Sequence, residues 1–130
     1  MRTMAKIFIG LTGILHILFF KMESLDFMKP EVFERFGLTL EGASYVRIWA
    51  FNQGFYNLFL ALGLFYALYL ISTNRRVRGE AISYFILCTV IGAGTVLALS
   101  TPDKMLAGCI QAFPALLGMI FLRLSSEKSV

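Results

Sequence analysis

This sequence is poor in the residues that hold metals and build nucleophilic sites. It has one histidine and two cysteines, whereas a protein metal site ordinarily needs three or four ligands. His16 has no thiolate near it in sequence, and a haem held by two histidines is excluded within one chain. No Ser-His-Asp arrangement, phosphate-binding glycine loop or dinucleotide fingerprint is present. Charge is scarce too, at 15% of residues against about 25% in soluble domains. The net charge of +4 does not point to nucleic acid, because the basic residues flank apolar runs instead of forming a stripe interleaved with aromatics. No stretch alternates as barrel strands do, and no internal repeat is visible.

What the chain has in excess is apolar surface. Apolar residues make up 58%, against roughly 45–50% on a wider count in soluble domains. One small soluble core cannot hide that much, given the surface-to-volume ratio of small domains; a lipid solvent removes the problem. Four apolar runs, at about 4–22, 47–71, 81–99 and 105–122, each approach the roughly 20 residues that span the hydrocarbon core. Backbone groups find no water there, so each run is expected to be a helix. The expectation is therefore all-α: one membrane domain over residues 1–130, a four-transmembrane-helix bundle whose main partner is the lipid bilayer.

Details of the runs refine this. Arg2 and Lys6 before the first run imitate a secretory signal. The run ends in Phe19-Phe20-Lys21-Met22-Glu23, without a small-x-small cleavage signature, and reads as a retained span. Cys88 and Cys109 fall in different runs at depths about 10 Å or more apart, too far for a disulfide. Between the first two spans, Pro30-Glu31-Val32-Phe33-Glu34-Arg35-Phe36 predicts a short interfacial helix ending at Gly37. Six glycines (Gly10, Gly13, Gly54, Gly63, Gly92 and Gly94) are expected where helices approach closely.

Topology follows from Lys and Arg. The termini and middle connection carry Arg2, Lys6, Arg75, Arg76, Arg78, Arg123 and Lys128; the other side carries Lys21, Lys29, Arg35, Arg47 and Lys104. The compact Arg75-Arg76-Val77-Arg78 run decides the orientation: multi-pass in the cell (inner) membrane, both termini cytoplasmic.

Polar side chains inside spans cost about 2.5–3.5 kcal/mol when charged at the centre, so their positions matter. The first span holds His16, with Glu23 seven residues on; a continuous helix would put both on one face about 10 Å apart. The second opens with Asn52, Gln53, Tyr56 and Asn57, a polar stripe two turns long. The fourth adds Gln111, followed by Pro114. His16 and Gln111 lie at similar depths of about 9 Å from the outer boundary, and Asn52 to Asn57 cover about 7–14 Å. These seven residues are the candidate ligand-binding set, with Glu23 as its lid. The structural alternative stands beside it: such amides and imidazoles also hold transmembrane helices together through hydrogen bonds of about 0.6–2 kcal/mol.

At these residues the chain resembles a family of small four-span membrane proteins, bacterial and fungal, catalogued as a domain of unknown function. The shared features are Leu15-His16 with Glu23, then Phe36-Gly37-Leu38, then Asn52-Gln53-Gly54-Phe55-Tyr56-Asn57 with Phe59-Leu60-Ala61-Leu62-Gly63-Leu64, and Gln111 with Pro114-Ala115. The family tends to have Met-Phe and a tryptophan after the glutamate, where this chain has Ser24-Leu25-Asp26-Phe27. The resemblance implies a four-helix membrane fold and singles out the same polar residues; it brings no activity with it, and any cofactor stays unknown.

Three functional readings stay open on the sequence. The leading one is a binding module for a small amphiphile or lipid, held by the amides with His16 exchanging a proton. The second is a membrane enzyme using His16 and Glu23 for proton chemistry on a lipid-soluble substrate. The third is a transporter or accessory subunit, which would need a homo-oligomer or a larger complex to form a path.

Overall fold

The computed structural model describes residues 1–126. Lys128, counted in the charge bias, lies outside the described residues. Four long helices dominate: α1 (Arg2–Phe20), α3 (Leu40–Ile71), α4 (Arg76–Ser100) and α5 (Met105–Ser126). A short helix, α2 (Pro30–Phe33), lies between the first two. No strand occurs among the described residues. All four long helices are long and apolar enough to cross a membrane.

Local chemistry sets several boundaries. The Thr39 side chain caps α3 by accepting the Gly42 N–H at 3.2 Å, and Glu41 in the first turn suits the positive end of the helix dipole. α3 thus starts seven residues before the apolar run that marked it in sequence. At 1.5 Å per residue its 32 residues reach about 48 Å, well beyond a hydrocarbon core of about 30 Å. The added turns receive the connecting segment: Phe27, Val32 and Phe33 pack with Ala43 in a small buried cluster. The expected short helix between the first two spans is present, Pro30 opening it and a 3-10 turn (Glu34–Phe36) closing it at Gly37. Gly37 has φ +75°, a left-handed conformation that glycine adopts without strain.

The long helices form a ring, α1 against α3 and α5, and α4 against the same two. At the end carrying the α1 N-terminus the interior is mostly apolar: Ile9, Leu64, Leu87, Val90 and Leu122 are almost fully buried, with the hydroxyls of Ser83 and Ser125 among them. Large apolar side chains face outward instead, with Phe59 at 61% and Phe85 at 76% exposure. Such an outside suits lipid better than water. Small residues let the backbones meet; a Cβ on Gly108 would stand 2.5 Å from the Gly94 carbonyl oxygen, locking α4 to α5. Gly92 departs from the expectation, since a Cβ there would meet nothing within 4 Å. Polar ties close this end of the bundle. Lys6 Nζ donates to Ser72 Oγ at 2.8 Å, and Glu80 accepts from Arg76 Nε at 2.5 Å and from Ser126 Oγ at 3.1 Å. Cys88 and Cys109 are both free.

Candidate functional site

At the opposite end the interior is polar, and the reason starts in the last turn of the first span. α1 widens into a π-helical turn, Lys21–Leu25, closed by the Asp26 N–H donating to the Lys21 carbonyl at 2.9 Å. A π turn takes an extra residue, so Glu23 is rotated out of the register a continuous α-helix would give it relative to His16. Two residues hold the turn against α3. Ser24 Oγ donates to the Phe51 carbonyl at 2.8 Å. Gly54 leaves room for Ser24, whose Cβ and backbone nitrogen would each be 3.0 Å from a Cβ at that position. Beyond the turn, Asp26 bonds Lys21 and takes Lys29 Nζ at 2.9 Å. Hydrogen bonds from Lys21 and then Lys29 hold its carboxyl below the usual carboxylate range, while Asp26 raises the Lys29 ammonium.

Seated this way, Glu23 points across to α3, where its Oε2 accepts from Asn57 Nδ2 at 2.7 Å. Asn57 is only 6% exposed, and its amide also lies 3.3 Å from the Gln53 carbonyl oxygen. Glu23 and Asn57 form one wall of a cavity of 330 Å³ bordered by the end of α1, the π turn, Phe36, α3, α4 and α5. Gln53 and Gln111 add two more amides to that wall, and Phe19, Phe36 and Leu97 complete much of the apolar remainder. Neither glutamine amide makes a hydrogen bond among the described residues. Glu23 is the one titratable group on this wall.

Four of the seven residues singled out in sequence are therefore brought together: Glu23, Gln53, Asn57 and Gln111. The other three stand elsewhere. Asn52 is exposed on the outside of α3. Tyr56 is 66% exposed and lines a separate groove of 800 Å³ between α3 and α4, which meets the cavity at Gln53. His16 is fully buried but is not on the cavity wall. Its Nδ1–H donates to the Thr12 carbonyl at 2.9 Å, which leaves Nε2 as the bare acceptor with no partner among the described residues. The His16 ring meets Phe19 edge-on at 5.5 Å, one side chain behind the wall.

The sequence reading missed the aromatic surround. A second cavity of 330 Å³ lies on the other side of Glu23, between the connecting segment and the first turns of α3, lined by Phe27, Phe36, Leu38, Trp49 and Gln53. Phe36 lines both cavities. Its neighbour Gly37 was visible as a stop signal, but nothing in the spacing foretold that the loop would fold back onto α3. Among the described residues no group of three or more His, Cys, Asp or Glu side chains is placed to hold a metal ion.

Comparison with known proteins adds the family. The chain matches the family described as a protein of unknown function, DUF1304, over residues 10–123. That stretch takes in every candidate residue above, from His16 to Gln111. No match was found among curated proteins or among solved structures. With nearly its whole length matched, this four-helix chain belongs to the DUF1304 family.

Proposed function

We propose that this chain binds a small amphiphile whose polar end is held by Glu23, Gln53, Asn57 and Gln111. The site would lie in the outer half of a bundle seated in the cell (inner) membrane with both termini cytoplasmic. One observation carries the reading: two glutamine side chains without hydrogen-bond partners among the described residues border the same cavity as a carboxylate. The groove between α3 and α4, walled by Tyr56, Phe59, Leu60 and Phe85, continues from Gln53 and offers a path for an apolar tail.

The geometry favours binding over the alternatives. Amides acting only as glue would bond across helices, and of the four side chains only Asn57 and Glu23 are paired. Proton chemistry by His16 with Glu23 loses support because His16 sits behind Phe19 and bonds its own helix.

Native mass spectrometry of the protein extracted gently from its membrane tests the proposal. The wild type and Asn52→Leu should retain a small molecule that Gln53→Leu and Gln111→Leu lose while remaining folded. Equal occupancy in all four, or unfolding of both glutamine variants, would remove the binding reading in favour of a structural one.

A further inference from the structure

We infer that the headgroup recognised here is an ammonium, so that the ligand is a cationic or zwitterionic amphiphile; this rests on the amphiphile reading above. Glu23 is half-buried and borders both cavities, yet none of the ion pairs among the described residues includes it. Its Oε2 takes the Asn57 amide, and no hydrogen bond to Oε1 is found among the described residues. A carboxylate away from water is stabilised by a cation beside it. On the side away from Asn57, the wall supplies three aromatic rings, Phe27, Phe36 and Trp49. A carboxylate beside aromatic side chains is the chemistry that recognises alkylammonium groups, through charge and cation–π attraction together. An anionic headgroup would be repelled by the Glu23 carboxylate, and a neutral one would gain a hydrogen bond but no charge pairing. The protein's overall charge of +4 opposes non-specific cation binding, so a preference for cations would be local to this site.

The ammonium has two sources, a free lipophilic amine or the headgroup of a zwitterionic lipid. Arg47 borders a third, smaller cavity that also touches Glu23, where the phosphate of such a headgroup could lie.

The test uses the full chain in maltoside micelles, with its one tryptophan, Trp49 on the cavity wall, as the fluorescent reporter. Decyltrimethylammonium, decylphosphocholine, decanol and decanoate serve as probes of one chain length. The ammonium-bearing probes should bind at least about tenfold more tightly than decanol and decanoate. Glu23→Gln, which keeps an acceptor for Asn57, should erase that preference while decanol binding persists. Phe36→Leu should reduce it in part. A free amine is indicated if decyltrimethylammonium alone shows the preference; a lipid headgroup is indicated if decylphosphocholine shares it and loses it in Arg47→Gln. Equal binding of all four probes, unchanged in Glu23→Gln, would overturn the ammonium inference and leave the amphiphile site standing. Saturable binding of none would overturn both.

Discussion

Replacing Gly54 by alanine tests how the π turn is held against α3, and Gly92→Ala is its matched control. Both glycines lie inside long helices, so each gains the same intrinsic preference for alanine, about 0.8–1 kcal/mol. The surroundings differ. A Cβ at Gly92 meets nothing within 4 Å, whereas one at Gly54 would lie 3.0 Å from Ser24 Cβ and 3.0 Å from Ser24 N, with the hydroxyl nearer still. Carbon atoms pack at about 3.5–4.0 Å, so the turn must retreat by roughly 0.5–1 Å, loosening the bond from Ser24 to the Phe51 carbonyl. Overpacking of this kind costs about 1–3 kcal/mol. Because the propensity gain cancels, that is also the expected difference between the two variants. Reversible unfolding in mixed dodecyl sulfate and maltoside micelles, followed by circular dichroism, measures it. Ser24→Gly in the Gly54→Ala background should recover part of the loss, the backbone nitrogen remaining in the way. Equal stability of Gly54→Ala and Gly92→Ala would refute this account of the close approach.

Three further outcomes are expected. A double-mutant cycle with Glu23→Ala and Asn57→Ala should give a coupling of about 0.6–1.7 kcal/mol, the range for hydrogen bonds between membrane helices; zero coupling would mean the bond contributes nothing. Asp26, held low in the fold by Lys21 and Lys29, contributes stability that is complete above its unfolded value of about 3.9 and lost as pH falls through the lower folded value. Acidification from about pH 5 to about pH 2 should therefore lower the melting temperature of the wild type more than that of Asp26→Asn; parallel pH curves would contradict the pairing. His16→Leu should change stability by less than about 1.5 kcal/mol, because it removes a buried Nε2 that has no partner among the described residues. It should leave ligand retention intact, and loss of the ligand would return His16 to the site.

The helices were legible because hydropathy marks them directly. Four apolar runs of spanning length have no other folded form in lipid than helices. The cavity was legible in part, since amides inside spans stand out by cost alone and Glu23 follows directly at the end of the first one. What the sequence hid was rotation. The seven-residue spacing of His16 and Glu23 implied one shared face only if the helix stayed α, and the π turn at Lys21–Leu25 broke that condition. The stripe from Asn52 to Asn57 gave no means of telling its inner edge from its outer one. Gln53 and Asn57 share an α-helical face four residues apart and border the cavity, Asn57 buried and Gln53 at its exposed rim, while Asn52 and Tyr56 share the neighbouring face and do not border it. Gly54 settles which edge is inner, because it marks where the π turn presses on α3. The α3 start was misplaced for a related reason: Thr39 and Glu41 begin a helix that extends past the apolar run.

The most direct test of the central claim is a crystal structure of the protein grown from a lipidic mesophase. The account predicts non-protein density in the cavity, within hydrogen-bonding distance of Glu23, Gln53 or Gln111, with the bond from Asn57 to Glu23 in place. A cavity closed by Gln53 and Gln111 bonding to each other, with no room for a headgroup, would contradict it.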